Sequence, residues 1–142
     1  MPTITTRIEI AAPPQRVWDV LTDFPGHQEW DPFFVRLEGT PRPGETLAVT
    51  IAPPGGKRMD FRPRVVELDA PHRLAWLGRL LVPGIFDGRH SFELSALPDG
   101  GTLLRHGERF SGVLTPFGRG MLARTTAGFE TFNDALKKRC EQ

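Results

Sequence analysis

A single cysteine, Cys140, stands two residues from the end of this 142-residue chain. One thiol cannot close an intrachain disulfide, so the fold rests on its core, and a reducing, cytoplasmic setting is expected. An excess of one charge is also lacking. The formal net charge is +1, which offers no basic stripe of the kind that grips nucleic acid. No stretch approaches the roughly 20 apolar residues of a membrane span, so no integral membrane association is expected. Residues 1–7 lack the apolar centre of a signal peptide. There is no HExxH pair, no cysteine cluster and no GxSxG elbow. Gly118-Arg119-Gly120 and Pro54-Gly55-Gly56 do not match a phosphate-binding glycine loop. These absences exclude the commonest metalloprotease, serine hydrolase and nucleotide-binding signatures, and no cofactor or metal is assigned.

What is present suits one domain of ordinary size. Apolar residues make up 39%, and the 10 Phe and 3 Trp fill much volume from few positions. Glycine and proline are spread between strand-like runs, as turn punctuation.

Residues 3–11 alternate, with Thr6, Ile8 and Ile10 on one face, which reads as a strand. Pro13-Pro14 stop it and suit the first turn of a helix. Val17, Trp18 and Leu21 recur at helical steps to about Asp23, and Phe24-Pro25-Gly26 end that helix. A brief helical turn runs to Trp30-Asp31-Pro32. Strands are predicted at 34–40, 45–52, 58–69, 72–80, 87–97 and 102–112. Pro98-Asp99-Gly100-Gly101 is a strong hairpin signal, and Pro63 places its strand at an edge or on a bulge. Phe117, Met121, Thr125, Phe129, Phe132 and Leu136 then recur every three or four residues, giving one helix over roughly 116–140. Lys137, Lys138 and Arg139 lie in its last turn, where cations complement the helix dipole. The class is α+β in a single domain, 1–142. A sheet of seven antiparallel strands curls, and one amphipathic helix can fill its concave side.

Several segments in this order resemble the START/Bet v 1-like (SRPBCC) superfamily and its polyketide cyclase/dehydrase-like branch. They are Ile10-Ala11-Ala12-Pro13-Pro14-Gln15-Arg16-Val17-Trp18, Leu21 to Phe24, Trp30-Asp31-Pro32-Phe33, Leu74-Ala75-Trp76, His90-Ser91-Phe92-Glu93-Leu94, Gly101-Thr102 and His106 through Gly112. Gly128-Phe129, Phe132-Asn133 and Leu136-Lys137 continue the likeness on the last helix. The resemblance implies a helix-grip fold, a seven-stranded curved sheet around the C-terminal helix with two short helices after the first strand. It also implies a cavity for an apolar ligand. It does not choose an activity, because this superfamily includes carriers, receptors, cyclases and chaperone regulators.

Strand parity assigns the faces. Arginines on one face of a strand belong in water, so Arg105 and Arg109, four apart, place Leu104, His106, Glu108 and Phe110 inward. By the same argument His90, Phe92 and Leu94 oppose Arg89, Ser91 and Glu93, and Met59, Phe61 and Val65 oppose Asp60, Arg62 and Arg64. Leu74, Trp76 and Gly78 continue the inward set. Residue by residue these aromatics read as ordinary core. Under the resemblance, Met59, Phe61, Trp76, His90, Phe92, His106, Glu108 and Phe110 become pocket lining, opposite Met121, Thr125 and Phe129, with Gly128 and Thr125 leaving room.

His106 and Glu108 break an apolar face, which is costly unless their polar atoms are bonded. They either tie strands together with His90 and nearby backbone, or meet a ligand's polar end and move protons. His90, His106 and Glu108 have the ligand types of a two-histidine, one-carboxylate site, but i, i+2 spacing on a strand is no recognised metal signature. Loops 52–57 and 80–86 read as gates or as packed hairpins, and the apolar 80–86 loop alternatively as a dimer or membrane contact. The expected function is binding of a small hydrophobic molecule such as a lipid, isoprenoid, polyketide or aromatic metabolite. The alternatives are a cyclase or dehydratase using His106 as acid or base with Glu108 orienting it, and a protein-interaction module. A homodimer stays open.

Overall fold

A computed structural model describes residues 3–80, 86–111 and 119–142. The order is β1 (Thr3–Ile10), α1 (Pro14–Thr22), a short 3-10 helix (Pro25–Glu29), β2 (Phe34–Glu38), β3 (Ala48–Ile51), β4 (Met59–Phe61), β5 (Arg64–Asp69), β6 (Arg73–Leu80), β7 (Phe86–Ala96), β8 (Thr102–Ser111) and α2 (Arg119–Cys140). Five strands form one antiparallel sheet in the order β1-β8-β7-β6-β5, and β2-β3-β4 form a second. The helix-grip class is as expected, but the strand count is not seven. The strand predicted over 58–69 is divided at Arg62-Pro63 into β4 and β5, because proline has no backbone N–H to donate to a ladder.

The same corner joins the two sheets. Leu47 donates its N–H to the Pro63 carbonyl at 2.8 Å, and Val65 donates to the Glu45 carbonyl at 2.9 Å. The chain entering β3 therefore pairs with the chain entering β5, and the sheet bends there instead of ending. The β7–β8 hairpin closes where Asp-Gly-Gly was read: Gly100 has φ +90°, and Leu97 donates to the Gly101 carbonyl at 2.8 Å.

Proline fits the start of α1, with Pro13 as N-cap and Pro14 at the first helical position. This helix buries Val17, Trp18, Val20 and Leu21. On α2 the buried set is Thr125, Phe129, Phe132, Asn133, Leu136 and Cys140, a stripe at three- and four-residue steps. It lies on the inward face of the five-stranded sheet, where Leu74, Trp76, Phe92, Leu94, Leu104 and Phe110 are also buried. Residues 116–118 of the predicted helix, the loop 81–85 and residue 112 of the predicted strand lie outside the described residues.

Gly128 does not open space for a ligand, as the sequence suggested. A Cβ there would overlap the Phe33 ring, so the missing side chain seats that ring flush against the helix. We expect Gly128→Ala to cost about 1–3 kcal/mol by overpacking, measured by urea unfolding. Phe33→Leu in the same chain should recover part of that loss, giving a non-additive double-mutant cycle.

Candidate functional site

Strand register arranges the inward side chains in rows across the sheet. Val65, Trp76, His90, Glu108 and Ile4 are successive partners in one row. Gly78, Gly88 and Phe110 form the next. On the other side, Leu74, Phe92, His106 and Thr6 form a third. The two glycines leave their row short of side chains, and the resulting space is a cavity of about 60 Å³. Its wall is supplied by Trp76, Gly78, Gly88, His90, Glu108 and Phe110 of the large sheet, and by Phe33, Phe34, Val49, Ile51, Met59, Phe61 and Pro63 of the other sheet and its flanks. Thr125 and Phe129 of α2 close it. The Glu108 carboxyl lies over Gly88, where an added Cβ would strike it and turn that side chain aside.

A chain of hydrogen bonds runs from this wall into the core. Its directions follow from the inventory of donors. Thr6 donates its hydroxyl to the His106 carbonyl at 2.8 Å, so its Oγ1 accepts from the Asn133 amide nitrogen at 2.9 Å. Asn133 thus presents its oxygen to His106 Nδ1 at 2.9 Å, which fixes the hydrogen on that nitrogen. His106 Nε2 is then an acceptor, and His90 donates its Nε2–H to it at 2.6 Å. His90 Nδ1 lies 3.6 Å from Glu108 Oε1, beyond hydrogen-bond reach. The bonds thus fix the His106 tautomer and the donor role of His90 Nε2.

The electrostatics agree with that assignment. Burial pulls the His90 imidazolium down to about 3. Burial, with the charge of His90 adding to it and the Asn133 hydrogen bond opposing it, holds His106 well below its ordinary value. Burial pushes the Glu108 carboxyl up to about 8. In each case the desolvated group loses its charged form. Among the described residues no three histidine, cysteine, aspartate or glutamate side chains converge as metal ligands.

The structure separates the residues that parity grouped together. Met59, Phe61, Trp76, His90, Glu108, Phe110, Thr125 and Phe129 stand on the cavity wall. Phe92 and His106 do not: both are fully buried, stacked at a ring separation of 4.5 Å, one row behind. His106 is instead covered by Phe129 of α2, with ring centroids 4.2 Å apart. The side chain of Met121 lies outside the described residues. Of the two loops, 52–57 comes against α2, since a Cβ on Gly55 or Gly56 would touch the Arg124 side chain. Thr6 and Asn133 were not singled out, although Asn133 is a polar residue on the apolar stripe of α2, the same signal that marked His106.

A second buried polar pair was also missed. His27 Nε2 lies 2.7 Å from the Leu21 carbonyl, so it carries a hydrogen, and Nδ1 lies 2.8 Å from Asp31 Oδ2. Asp31 Oδ1 accepts the amides of Phe33 and Phe34 at 2.9 and 3.0 Å. This pair anchors the turn that delivers Phe33 and Phe34 to the cavity.

The histidines and the glutamate act on stability in opposite senses. A depressed histidine pKa contributes stability that is present above the ordinary 6.5 and lost as pH falls below it. The raised Glu108 pKa contributes stability that is present below the ordinary 4.5 and lost as pH rises toward about 8. Between those ordinary values the two histidines outweigh the one glutamate, so stability rises with pH to about 6.5 and then declines. Glu108 is partly exposed, with 19% of its side chain accessible, so the alkaline decline should be on the order of 1 kcal/mol. Glu108→Gln keeps a donor toward His90 and should abolish that decline while leaving the acid limb, measured as urea unfolding free energy against pH.

Among solved structures, the chain is similar to a protein of Mesorhizobium loti at 22% identity and TM-score 0.75, covering 99% of this chain and 97% of the other. It is also similar to a START superfamily protein from Mycobacterium smegmatis at 20% identity and TM-score 0.75, with 99% and 97% covered. The Aha1 dimer from Colwellia psychrerythraea matches at 22% identity and TM-score 0.71, with the same coverage of 99% and 97%. These likenesses establish the shared fold. A search of curated proteins finds no match. No helix among the described residues is long and apolar enough to cross a membrane. The model of the polyketide cyclase/dehydrase and lipid transport family matches residues 1–141, and with the helix-grip architecture this places the chain in that family, within the START/Bet v 1-like superfamily.

Proposed function

We propose that this protein binds a small hydrophobic molecule between its sheets and the C-terminal helix. The observation that carries this reading is the cavity wall: aromatic and aliphatic side chains from both sheets and the C-terminal helix converge on it, with one carboxyl and one imidazole among them. Such a wall, apolar with few convergent polar groups, is the usual make-up of a ligand site. Its enclosed volume of about 60 Å³ is well below the roughly 300–1,000 Å³ of sites that engulf a drug-sized ligand. The enclosed part therefore suits a small group, and the rest of a larger ligand would extend through the open side. The family description joins lipid transport to polyketide cyclase and dehydrase chemistry, and both concern molecules of apolar body with a few oxygens.

A second reading is enzymatic, and the Glu108–His90 pair favours it. A carboxyl pushed up to about 8 is a general acid at neutral pH, and its neighbour His90 is an uncharged base. In this reading the reacting proton passes through Glu108 and His90 at the wall. His106, which has no cavity surface, orients His90 through the bond at 2.6 Å.

Gly78 offers the test of the binding reading. Its added Cβ would meet nothing closer than 3.9 Å, so a larger side chain there projects into free space without disturbing the fold. Indole titrated into labelled protein should shift the Trp76 ring N–H saturably. Gly78→Val should weaken that binding by about tenfold or more, with the circular dichroism unchanged. Absence of saturable shifts around Trp76 and Gly88 in the unmodified protein would remove this reading.

A further inference from the structure

We propose that the cavity selects an organic cation, an ammonium group borne on an apolar body, with Glu108 as its counter-ion. This rests on the binding reading above and adds the chemical class of the ligand. Among the described residues Glu108 is the one acidic side chain on the wall, and no lysine or arginine lines it. The other described titratable group that faces the carboxyl is His90, at 3.6 Å, a ring that burial keeps uncharged. Thr125 of α2 and the ring N–H of Trp76 are the other polar groups among the lining residues.

The sequence keeps space for the carboxyl. Gly88 on the neighbouring strand has no side chain, and the Glu108 carboxyl lies where its Cβ would stand, a place the acid would have to leave if a side chain were added there. The other walls are aromatic, with Trp76, Phe34, Phe61, Phe110 and Phe129 among them. Aromatic rings can hold a cation over their faces, most strongly where water is excluded. Among the described residues an anion would meet a carboxyl and no cationic partner, so it is disfavoured. A neutral carbonyl or hydroxyl could take one hydrogen bond from the protonated carboxyl. An ammonium gains more: an ion pair in a poorly hydrated site and the rings as well. The carboxyl gives up its proton at small cost near neutral pH, because burial has raised it only to about 8.

Three probes that share one ring and differ in head group make the test: benzylammonium, benzyl alcohol and benzoate, each titrated at neutral pH with the Trp76 ring N–H as readout. Benzylammonium should bind about tenfold or more tightly than benzyl alcohol, and benzoate least of the three. Glu108→Gln should bring the ratio of the first two close to one. Equal or tighter binding of benzyl alcohol or benzoate would overturn the cation assignment while leaving the binding reading standing, as would a ratio unchanged in Glu108→Gln. If none of the three probes binds, both the assignment and the reading beneath it fail. The comparison of probes in the unmodified protein decides the matter even if the variant does not fold.

Discussion

The hydrogen bond from His106 to Asn133 gives the gripping helix its register on the sheet. Apolar contact between α2 and the strands is non-directional, so rings such as Phe129 and Phe132 could be buried at more than one setting of the helix. The His106–Asn133 bond at 2.9 Å is different. Sliding α2 by a turn would leave the ring nitrogen and the amide unpaired away from water, at about 1–3 kcal/mol for each orphaned group. Thr6 of β1 holds the far side of Asn133, so three elements distant in sequence meet at one polar point. The seating of Phe33 against Gly128, one and a half turns earlier on α2, matches the same setting from the apolar side.

Once the helix is set, the position of the cavity follows from what the sheet does not supply. The row containing Phe92 and His106 is filled and stacked under Phe129 and Phe132. The row containing Trp76, His90 and Glu108 is filled by large side chains too. Among the described residues, only Gly78 and Gly88, facing each other across β6 and β7, have no side chain to project inward. A close-packed interior tolerates few such gaps, and this one opens beside the one carboxyl that the described residues place on the inward face of the large sheet. Polar and empty positions are therefore neighbours by register, with the carboxyl at its edge and the two glycines beneath it.

Period and parity made much of this legible in the sequence. Alternation around Arg105 and Arg109 oriented β8 correctly, and the three- and four-residue recurrence of Thr125, Phe129, Phe132 and Leu136 identified the buried stripe of α2. Parity tells which face a residue occupies but not which row, so it could not tell His106 from Glu108, or Phe92 from His90. Rows depend on the register between strands distant in sequence. The bulge between Val65 and Glu67 and the break at Pro63 are local events that shift such counting. The second wall of the cavity was invisible for a similar reason. Phe33 and Phe34 reach it because Asp31 and His27 fold the preceding turn, and no periodicity encodes that bend.

The chain of bonds from Thr6 to His90 has one further property. Each neutral imidazole carries a single hydrogen, so the links cannot be set independently: fixing the sense of one fixes all the others. The sequence of donors has two settings, one running toward the core and one running toward the cavity, and no stable mixture of them. As described, His90 carries its hydrogen on Nε2. Moving that hydrogen to Nδ1, the nitrogen that faces Glu108, would reverse the chain, exchanging both ring tautomers and turning the Asn133 amide end for end. The tautomer of the ring at the cavity wall is thereby coupled to the orientation of a side chain on the gripping helix.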